Sequence, residues 1–313
     1  MRLSPNGFAD TPSGSVNVES TQLVLDIKTT LQLEINNSLD VLLFFQSSQN
    51  TDGGFGSAES GDSNWESTIA AVNGLQKLEL NSSTIGQWTI FTYLNITMMD
   101  LLYNETQLGN TTTITPLTLN LSTMQIWNQY ILASLQLGAF PTIPADYLKT
   151  ELQGLQYANG TYEGFELATN SIILLALLGL QPLEVDLASK FIRAYKSSDG
   201  AFSNNLDTKA TLRATLMAIQ SMVSLDRIWE IDRIDILLQF VLNRQRANSG
   251  FGEAGNQFAT VKSTWQAVEI LKALFALDEL DSPEVLQTEG FIPFQSIGFG
   301  LIVITFVAKR RKF

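Results

Sequence analysis

The stretch Phe44–Leu80, FFQSSQNTDGGFGSAESGDSNWESTIAAVNGLQKLEL, decides the fold of this chain. It opens as the end of an apolar helix, turns at Asp52–Gly56, and continues as a second helix whose apolar residues recur every three or four positions. Two adjacent glycines supply the positive φ values of a tight turn, and Phe55 supplies an apolar plug. Ser63 and Glu66 stand at capping-box spacing and predict the start of the second helix. The stretch therefore predicts a helical hairpin.

Copies of this hairpin recur along the chain, and their loop aromatics are separated by 47, 110, 37 and 49 residues. Because 110 is about two periods, we predict one degenerate copy with helices near Ile85–Asn104 and Ser122–Leu137. Repeats of this length predict stacked units that bury their cores against neighbours. Five helices are expected before the loops and six after them, so the first hairpin is incomplete. The loop aromatics are Phe8, Phe55, Phe165, Phe202 and Phe251, and the post-loop helices are expected to begin near Val18, Asn64, Ser122, Ala168, Leu206 and Ala259.

The order of helix, glutamine, Asp-Gly-Gly-aromatic turn and Ser/Thr/Ala-rich helix resembles the repeat of protein prenyltransferase β subunits and squalene/oxidosqualene cyclases. The resemblance covers about residues 7–278. It implies an all-α fold, an α/α toroid of about six helical hairpins whose post-loop helices line a central cavity. Because this toroid serves transferases, cyclases, carriers and lyases, the resemblance indicates the fold more strongly than the activity.

The composition is that of a globular protein, with 45% hydrophobic and 16% charged residues. A closed repeat ring is one cooperative body, so we predict a single toroid domain over residues 1–278. The formal net charge of −12 would repel phosphates, and nucleic acid is therefore not an expected partner. The chain contains no Cys, which excludes disulfides and thiolate chemistry.

The C-terminal run Gly290–Ala308 carries no charge and is followed at once by four basic residues. As a helix its last 18 residues would extend about 27 Å, close to the hydrocarbon thickness of a bilayer. We therefore predict a linker at 279–289, a transmembrane helix at 290–308 and a cytoplasmic basic tail at 309–313, which places the toroid outside the cell. A buried closing helix is the alternative. The layout resembles the C-terminal anchors of archaeal and bacterial surface proteins.

Two further features agree with an extracellular toroid. Seven Asn-x-Ser/Thr sequons occur between Asn36 and Thr161, a modest excess over composition. The segment MRLSPNGFAD has no apolar core and is not a leader, and the first unit lacks its pre-loop helix. We therefore expect the natural chain to begin upstream of Met1.

The resemblance also implies chemistry that the residues do not support. Zinc prenyltransferases bind their metal through Asp, Cys and His, but this chain has neither Cys nor His; Asp62 matches the Asp, and Asn64 stands where the Cys would be. Cyclases need an Asp-x-Asp-Asp element, and the nearest sequence, Glu230–Asp235, lacks the adjacent pair and suits a helix N-terminus. We therefore predict no metal and no cofactor.

The remaining candidates are acidic and aromatic. Asp62, Glu66 and Glu163 are weak catalytic candidates for acid/base work on a glycan, although caps and a solvated rim explain them more simply. Trp65 and Trp265 occupy matching places in two post-loop helices, and with Phe165 they are candidate residues of a ligand cavity. Ile172, Leu174 and Leu175 are expected to line that cavity as apolar wall residues.

The sequence therefore favours a membrane-anchored, extracellular toroid that acts as a non-catalytic binding or structural surface module. Its ligand would be apolar, peptidic or glycan, and its other partner is the membrane. The alternative is an enzyme that acts on isoprenoids or extracellular glycans through loop carboxylates. A purely structural envelope component, with a cavity filled by its own side chains, is a third possibility.

Overall fold

A computed structural model describes residues 7–11, 14–35, 38–78, 87–108, 111–116, 119–136, 145–206, 208–246, 250–253, 258–277 and 280. In these ranges the regular secondary structure is helical apart from two short antiparallel strand pairs. The mostly helical fold predicted from the hairpin repeats is therefore confirmed.

The helices form two layers. Each inner helix contacts the next, and the last contacts the first, which closes a ring. The outer helices α2, α4 and α8 each contact the inner helices on both sides of them in sequence. The inner helices are α1 (Val18–Thr30), α3 (Trp65–Lys77), α5 (Leu121–Gln136), α7 (Phe165–Leu177), α9 (Leu212–Ser224) and α11 (Val261–Ala273). The outer helices are α2 (Ser38–Ser48), α4 (Gln87–Leu102), α6 (Ala145–Gly154), α8 (Val185–Arg193) and α10 (Ile234–Leu242).

A threonine fixes the loop to the inner helix in four of the units. The loop aromatic donates its backbone N–H to the hydroxyl of a Thr 13 residues later, as Phe55 does to Thr68 at 2.9 Å. The same hydroxyl donates to the backbone carbonyl of the helix N-cap, 2.7 Å away in all four units. One side chain therefore sets both the depth of the aromatic and the start of the helix. The other pairs are Phe8–Thr21, Phe202–Thr215 and Phe251–Thr264.

The start of α3 differs from the prediction. Asn64 is the N-cap and accepts from the Ser67 N–H at 2.8 Å, so the prediction that Ser63 and Glu66 cap this helix is wrong. The Ser63 hydroxyl instead donates to the Asp52 carboxylate at 2.8 Å. An Asn side chain at the position before the helix reaches the free N–H groups directly and outcompetes the box.

The two glycines of the turn have different roles. Gly53 has φ +91°, the left-handed conformation that favours glycine. Gly54 does not share this conformation; a Cβ there would lie 2.7 Å from the Ser63 Cβ and from the Tyr93 ring. The expectation that both glycines supply positive φ is thus wrong for Gly54. A glycine is needed there because Ser63 and Tyr93 approach too closely for a side chain.

The unit before α7 has a shortened loop. Its turn at Tyr157–Thr161 makes the same two backbone hydrogen bonds as the turn at Asn50–Gly54, so Tyr162 occupies the plug position and Phe165 does not. The N-cap follows Tyr162 by two residues, whereas the other described loops have nine. As a result α7 begins at Phe165 rather than near Ala168.

The degenerate unit contains α4 and α5 within three residues of their predicted bounds. Between them lies a feature that was not predicted: strand β3 (Tyr103–Leu108) pairs antiparallel with β4 (Thr111–Pro116). The β-branched run of β4 favours an extended chain, a signal that the search for helical hairpins overlooked. The remaining pair, β1 (Phe8–Ala9) and β2 (Val16–Asn17), belongs to the first loop.

Neighbouring units are joined by a recurring cap. The residue two positions after the loop aromatic accepts a hydrogen bond from the first N–H of the preceding inner helix, a donor that has no intrahelical partner. The acceptor and donor pairs are Ser57 O with Val18 N at 2.9 Å, Glu253 Oε1 with Leu212 N at 2.8 Å, and Asp10 O with Val261 N at 3.0 Å. The last of these closes the ring.

Within the described residues, no helix has the length and apolar character needed to cross a membrane. The predicted span at 290–308 and the basic tail at 309–313 lie outside the described residues, as does the predicted linker at 279–289 except for Leu280. The anchor therefore stays a prediction.

Candidate functional site

The inward faces of the inner helices form the candidate site. Each inner helix contacts an inner helix on either side, and outer helices pack against α1, α3, α5, α7 and α9. The remaining face of the inner helices therefore looks toward the ring axis. Residues two and nine positions after the N-cap are exposed or half-buried in all six inner helices. Seven residues are close to two helical turns, so both positions lie on one face. We name the two sets the first polar tier and the second polar tier.

The first polar tier is almost entirely charged, and the second is polar apart from one isoleucine. The described positions of the two tiers hold no aromatic residue. The first tier consists of Glu19, Glu66, Ser122, Glu166, Arg213 and Lys262. The second tier consists of Asp26, Asn73, Gln129, Ile173, Gln220 and Glu269.

The expectation that Ile172, Leu174 and Leu175 line a cavity is wrong. These three residues are at most 1% exposed and belong to the core between the layers. The inner helices bury their apolar residues outward and sideways, where neighbouring helices cover them. At the two tier positions they present mainly hydrogen-bonding groups, and the exposed Leu132 and Val223 lie three residues after the second tier.

Two acids of the first tier have partners in a neighbouring unit. Glu166 lies 3.4 Å from the Arg213 guanidinium and accepts from the Asn204 amide at 3.0 Å. Glu19 accepts a hydrogen bond from the Ser67 hydroxyl. Five carboxylates and two basic side chains make up the charged members of the two tiers, an acidic excess that Lys77 and Lys272, which lie beside Asp26 and Glu269, partly offset.

The second tier gathers charges where α11, α1 and α3 meet. Asp26 lies 3.4 Å from the Lys77 ammonium, and Glu269 accepts from the Thr30 hydroxyl at 3.3 Å and lies 3.2 Å from Lys272. Burial raises the pKa of Asp26, and the nearby Glu269 adds to the rise, whereas Lys77 opposes it.

Amide side chains supply further binding groups beside the second tier. Asn128 and Asn170 are 8% and 7% exposed, and the Asn128 amide lies 3.4 Å from the Asn170 side-chain oxygen. The Asn128 Oδ1 and the Asn73 Oδ1 are buried without a hydrogen-bond partner in the described part of the chain. Buried acceptors of this kind are normally satisfied, as by an ordered water.

The sequence-predicted catalytic candidates do not come together as a set. Asp62 and Glu163 are exposed loop residues, and Glu66 is an exposed member of the first tier. Acid/base chemistry on a glycan requires two carboxylates that face one another across the substrate. Of the three, only Glu66 lies on the inward face, and the catalytic assignment stays a prediction.

The aromatic candidates lie at the margin of the core. Trp65 and Trp265 are half-buried against different core clusters, one residue and five residues after their N-caps, so they are not in matching places as expected. Phe165 is 1% exposed and stacks against Tyr195 with ring centroids 5.0 Å apart. Their role toward a ligand is a prediction that these positions do not favour.

A metal site also lacks support at the expected place. The Asn64 side chain, where the resemblance would put a Cys ligand, caps α3. The described residues hold no group of three or more His, Cys, Asp or Glu side chains that could share a metal ion. The prediction of no metal and no cofactor stays a prediction.

Sequence reasoning missed the two tiers as a set. The signal was present: once the N-caps are known, counting two and nine residues onward in each inner helix finds them. The residue types alone did not reveal them, because Gln and Glu at helical spacing are equally typical of a solvated outer face.

A closed ring of inner helices, backed by outer helices and lined by two polar tiers, defines an α/α toroid. The family model for the prenyltransferase alpha-alpha toroid domain matches residues 3–100 and 120–289, and the chain belongs to this family.

Among solved structures, the chain is similar to Candida albicans protein geranylgeranyltransferase-I complexed with GGPP. The two are 11% identical, the match covers 82% of this chain and 92% of that chain, and the TM-score is 0.40. A search of curated protein sequences finds no match.

Proposed function

We propose that the chain is a non-catalytic binding module whose central cavity takes a cationic peptide segment. The observation that carries the proposal is the pair of polar tiers, which present five carboxylates against two basic side chains. Charge complementarity of this kind favours a positively charged partner and rejects an anionic one. The amides of Asn73, Asn128 and Gln129 add donors and acceptors that suit a peptide backbone.

An isoprenoid ligand fits this lining poorly. Burying an apolar chain contributes about 25 cal/mol per Å² only when its surroundings are apolar. Here an isoprenoid would instead displace water from carboxylates and amides that gain no new hydrogen bonds. This desolvation costs several kcal/mol. A glycan would satisfy the amides but would leave the acidic excess without a partner.

The proposal includes display of the toroid on the outer face of a prokaryotic, archaeal-type membrane. The uncharged run 290–308 and the basic residues 309–312 support a single span with its tail inside. The seven sequons between Asn36 and Thr161 agree with an extracellular domain.

An enzyme acting on isoprenoids or extracellular glycans is the second candidate. One observation favours it: Asp26 and Glu269 meet at the junction of three inner helices, and burial raises the pKa of Asp26, as often occurs in acid/base sites. We rank it second because Lys77 and Lys272 already lie beside these two carboxylates. Hydrolysis of an oligosaccharide that is abolished by Glu269→Gln would establish it.

Peptide titration of the full chain in mild detergent tests the first candidate. We expect a lysine-rich peptide to bind with an affinity that falls with salt, and a glutamate-rich peptide of equal length not to bind. Replacing the first-tier residue Glu66 by Gln should weaken binding about threefold to tenfold, the effect of about 0.7–1.4 kcal/mol for one charge contact. The matched control is Glu163→Gln, an exposed carboxylate outside the tiers. Equal binding of both peptides, or equal effects of both substitutions, would contradict the proposal.

A further inference from the structure

Three of the seven sequon asparagines, Asn95, Asn120 and Asn159, have described side chains, and all three are exposed. N-glycosylation joins a sugar to the side-chain nitrogen Nδ2 and leaves the oxygen Oδ1 in place. A sugar therefore costs the fold least where Oδ1 makes the structural hydrogen bonds and Nδ2 is free. Asn95 does not decide this point, because its partner is the Tyr130 hydroxyl, which can donate or accept.

Asn120 and Asn159 both use the oxygen. Asn120 directly precedes α5, and its Oδ1 accepts from the Thr123 N–H at 3.0 Å. Asn159 lies in the turn before α7, and its Oδ1 accepts from the backbone N–H and the hydroxyl of Thr161 at 3.1 Å and 2.6 Å. A backbone N–H can only donate, so the atom beside it is the oxygen. Neither Nδ2 has a hydrogen-bond partner in the described part of the chain.

Several asparagines outside the sequons use the nitrogen instead. The Asn50 Nδ2 donates to the Gly61 carbonyl at 2.9 Å, and the Asn170 Nδ2 donates to the Glu166 carbonyl at 2.8 Å. The Asn204 Nδ2 donates to the Glu166 carboxylate at 3.0 Å. A sugar on any of these nitrogens would displace a hydrogen bond that the fold uses. Asn120 and Asn159 differ from them in the atom that is left for chemistry.

The two positions lie at one end of the ring, in neighbouring units. Both stand in loops that enter inner helices, before α5 and α7, and these two helices contact one another. The loops that enter α9, α11, α1 and α3 contain no sequon. Sugars at the two positions would stand over α5 and α7 and leave the rest of the mouth bare. The bare sector holds four of the five charged residues of the first polar tier, Glu19, Glu66, Arg213 and Lys262.

We propose that Asn120 and Asn159 carry N-linked glycans, transferred from an oligosaccharide on a polyprenyl phosphate or diphosphate carrier. The bond between the anomeric carbon and the carrier's phosphate oxygen breaks, and a bond from that carbon to Nδ2 forms. The phosphate leaves with the bonding electron pair, and the amide loses one proton. The Oδ1 hydrogen bonds survive, and partners reach the cavity from this end over α9, α11, α1 and α3. The inference rests on the extracellular display proposed above and is independent of the cationic peptide.

Glycopeptide mass spectrometry tests the assignment. The full chain is exported behind a cleavable leader in a host that N-glycosylates its secreted proteins, and the occupancy of every sequon is measured. We expect sugar at both Asn120 and Asn159. Asn120→Asp and Asn159→Asp should each remove one sugar and shift the Tm by less than about 2 °C, because Asp keeps the oxygen acceptor. Sugar at other sequons but not at both of these would overturn the inference alone. A chain without any sugar would overturn it together with the extracellular display.

An engineered sequon provides the matched control. Leu206→Thr places a sequon at Asn204 by changing a side chain that is 65% exposed. Because the Asn204 Nδ2 donates to Glu166, we expect this site to stay bare or, once glycosylated, to lower the Tm by several degrees relative to Leu206→Ala, which creates no sequon. Full occupancy at Asn204 with an unchanged Tm would show that the engaged amide atom does not distinguish the sites, and the assignment would be rejected.

Discussion

At the scale of single residues, the loop threonines contribute more than their size suggests. Thr68 accepts from the buried N–H of Phe55 and donates to the carbonyl of Asn64, so it joins a loop to a helix with one hydroxyl. Valine has the same shape without the hydroxyl. Its methyl would leave the Phe55 N–H buried and unpaired, and a buried donor without a partner costs about 1–3 kcal/mol.

We expect Thr68→Val to lower the free energy of unfolding by about 1–3 kcal/mol, and Thr68→Ser to restore most of the loss. The measurement is urea denaturation followed by circular dichroism. Thr150→Val is the matched control, because the exposed Thr150 makes a similar bond to a carbonyl four residues back but caps no buried donor. A loss at Thr150 equal to that at Thr68 would show that the loop bond contributes nothing.

The raised pKa of Asp26 leads to a prediction about how stability depends on pH. Its pKa is raised in the folded protein, chiefly by burial, from the ordinary value of 3.8. Folding therefore favours the protonated acid, so the group costs no stability below pH 3.8 and its full cost is present above the raised pKa. We expect Asp26→Asn to raise the Tm at pH 7 and this gain to shrink as the pH falls toward 3.8.

Asp232 is the control for Asp26, because its pKa is shifted in the opposite direction. A hydrogen bond from Lys196 lowers the pKa of the exposed Asp232, so its contribution favours folding at pH 7 and is lost as the pH falls through the lowered pKa. Asp232→Asn should lower the Tm slightly at pH 7 and have no effect in acid. The measurement is the change in Tm of each variant from pH 3 to pH 7. If both substitutions changed the Tm at pH 7 in the same direction, the causes assigned to the two pKa shifts would be wrong.

At the scale of helices, three of the junctions between units rely on a cap supplied by the next unit. Glu253 accepts from the first N–H of α9 at 2.8 Å, and its own backbone carbonyl accepts from the Arg244 side chain at 3.0 Å. The cap satisfies a donor that the helix itself leaves free. A unit taken alone would therefore lose an N-terminal cap as well as a neighbour.

We expect Glu253→Ala to lower stability by about 0.5–2 kcal/mol, the usual cost of losing an N-terminal cap. Amide hydrogen exchange at Leu212 should accelerate at the same time, because that N–H loses its acceptor. Glu253→Gln keeps an oxygen acceptor in place and should retain most of the stability and of the protection at Leu212. Glu163→Ala, in an exposed loop, should change neither quantity. Unchanged exchange at Leu212 would rule out the cap.

The helices themselves were predictable from the sequence because the hairpin signal is repeated. Six inner and five outer helices follow from the Asp-Gly-Gly-aromatic turns and apolar spacing, and α4 and α5 fell within three residues of expectation. The start of α7 did not, since Phe165 imitates the plug while Tyr162 fills it. The polar tiers were not predicted either, because the face that a helix turns inward depends on neighbours that are distant in sequence.

At the scale of the whole molecule, closure changes how the repeats share stability. An open array has end units with one neighbour each and can unfold from an end. Here α11 contacts α1, and the Asp10 carbonyl accepts from Val261 N at 3.0 Å, so no inner helix is terminal. The two core clusters meet in α7, where Leu174 belongs to the first and Ile172 to the second.

We therefore expect one cooperative unfolding transition, in which a destabilising substitution in any repeat unit lowers the stability of the whole ring. Leu25→Ala in α1 and Leu271→Ala in α11 remove side chains that are 0% exposed on the two sides of the seam between α11 and α1, and each should cost about 2–5 kcal/mol. Because the ring has no end, each substitution should move the circular dichroism and tryptophan fluorescence transitions together. Gln220→Leu, on the exposed second tier, is the control and should stay within about 0.5 kcal/mol of the parent. Separate transitions for the two probes in either core variant would mean that the repeats unfold as an open array and that the seam carries no coupling.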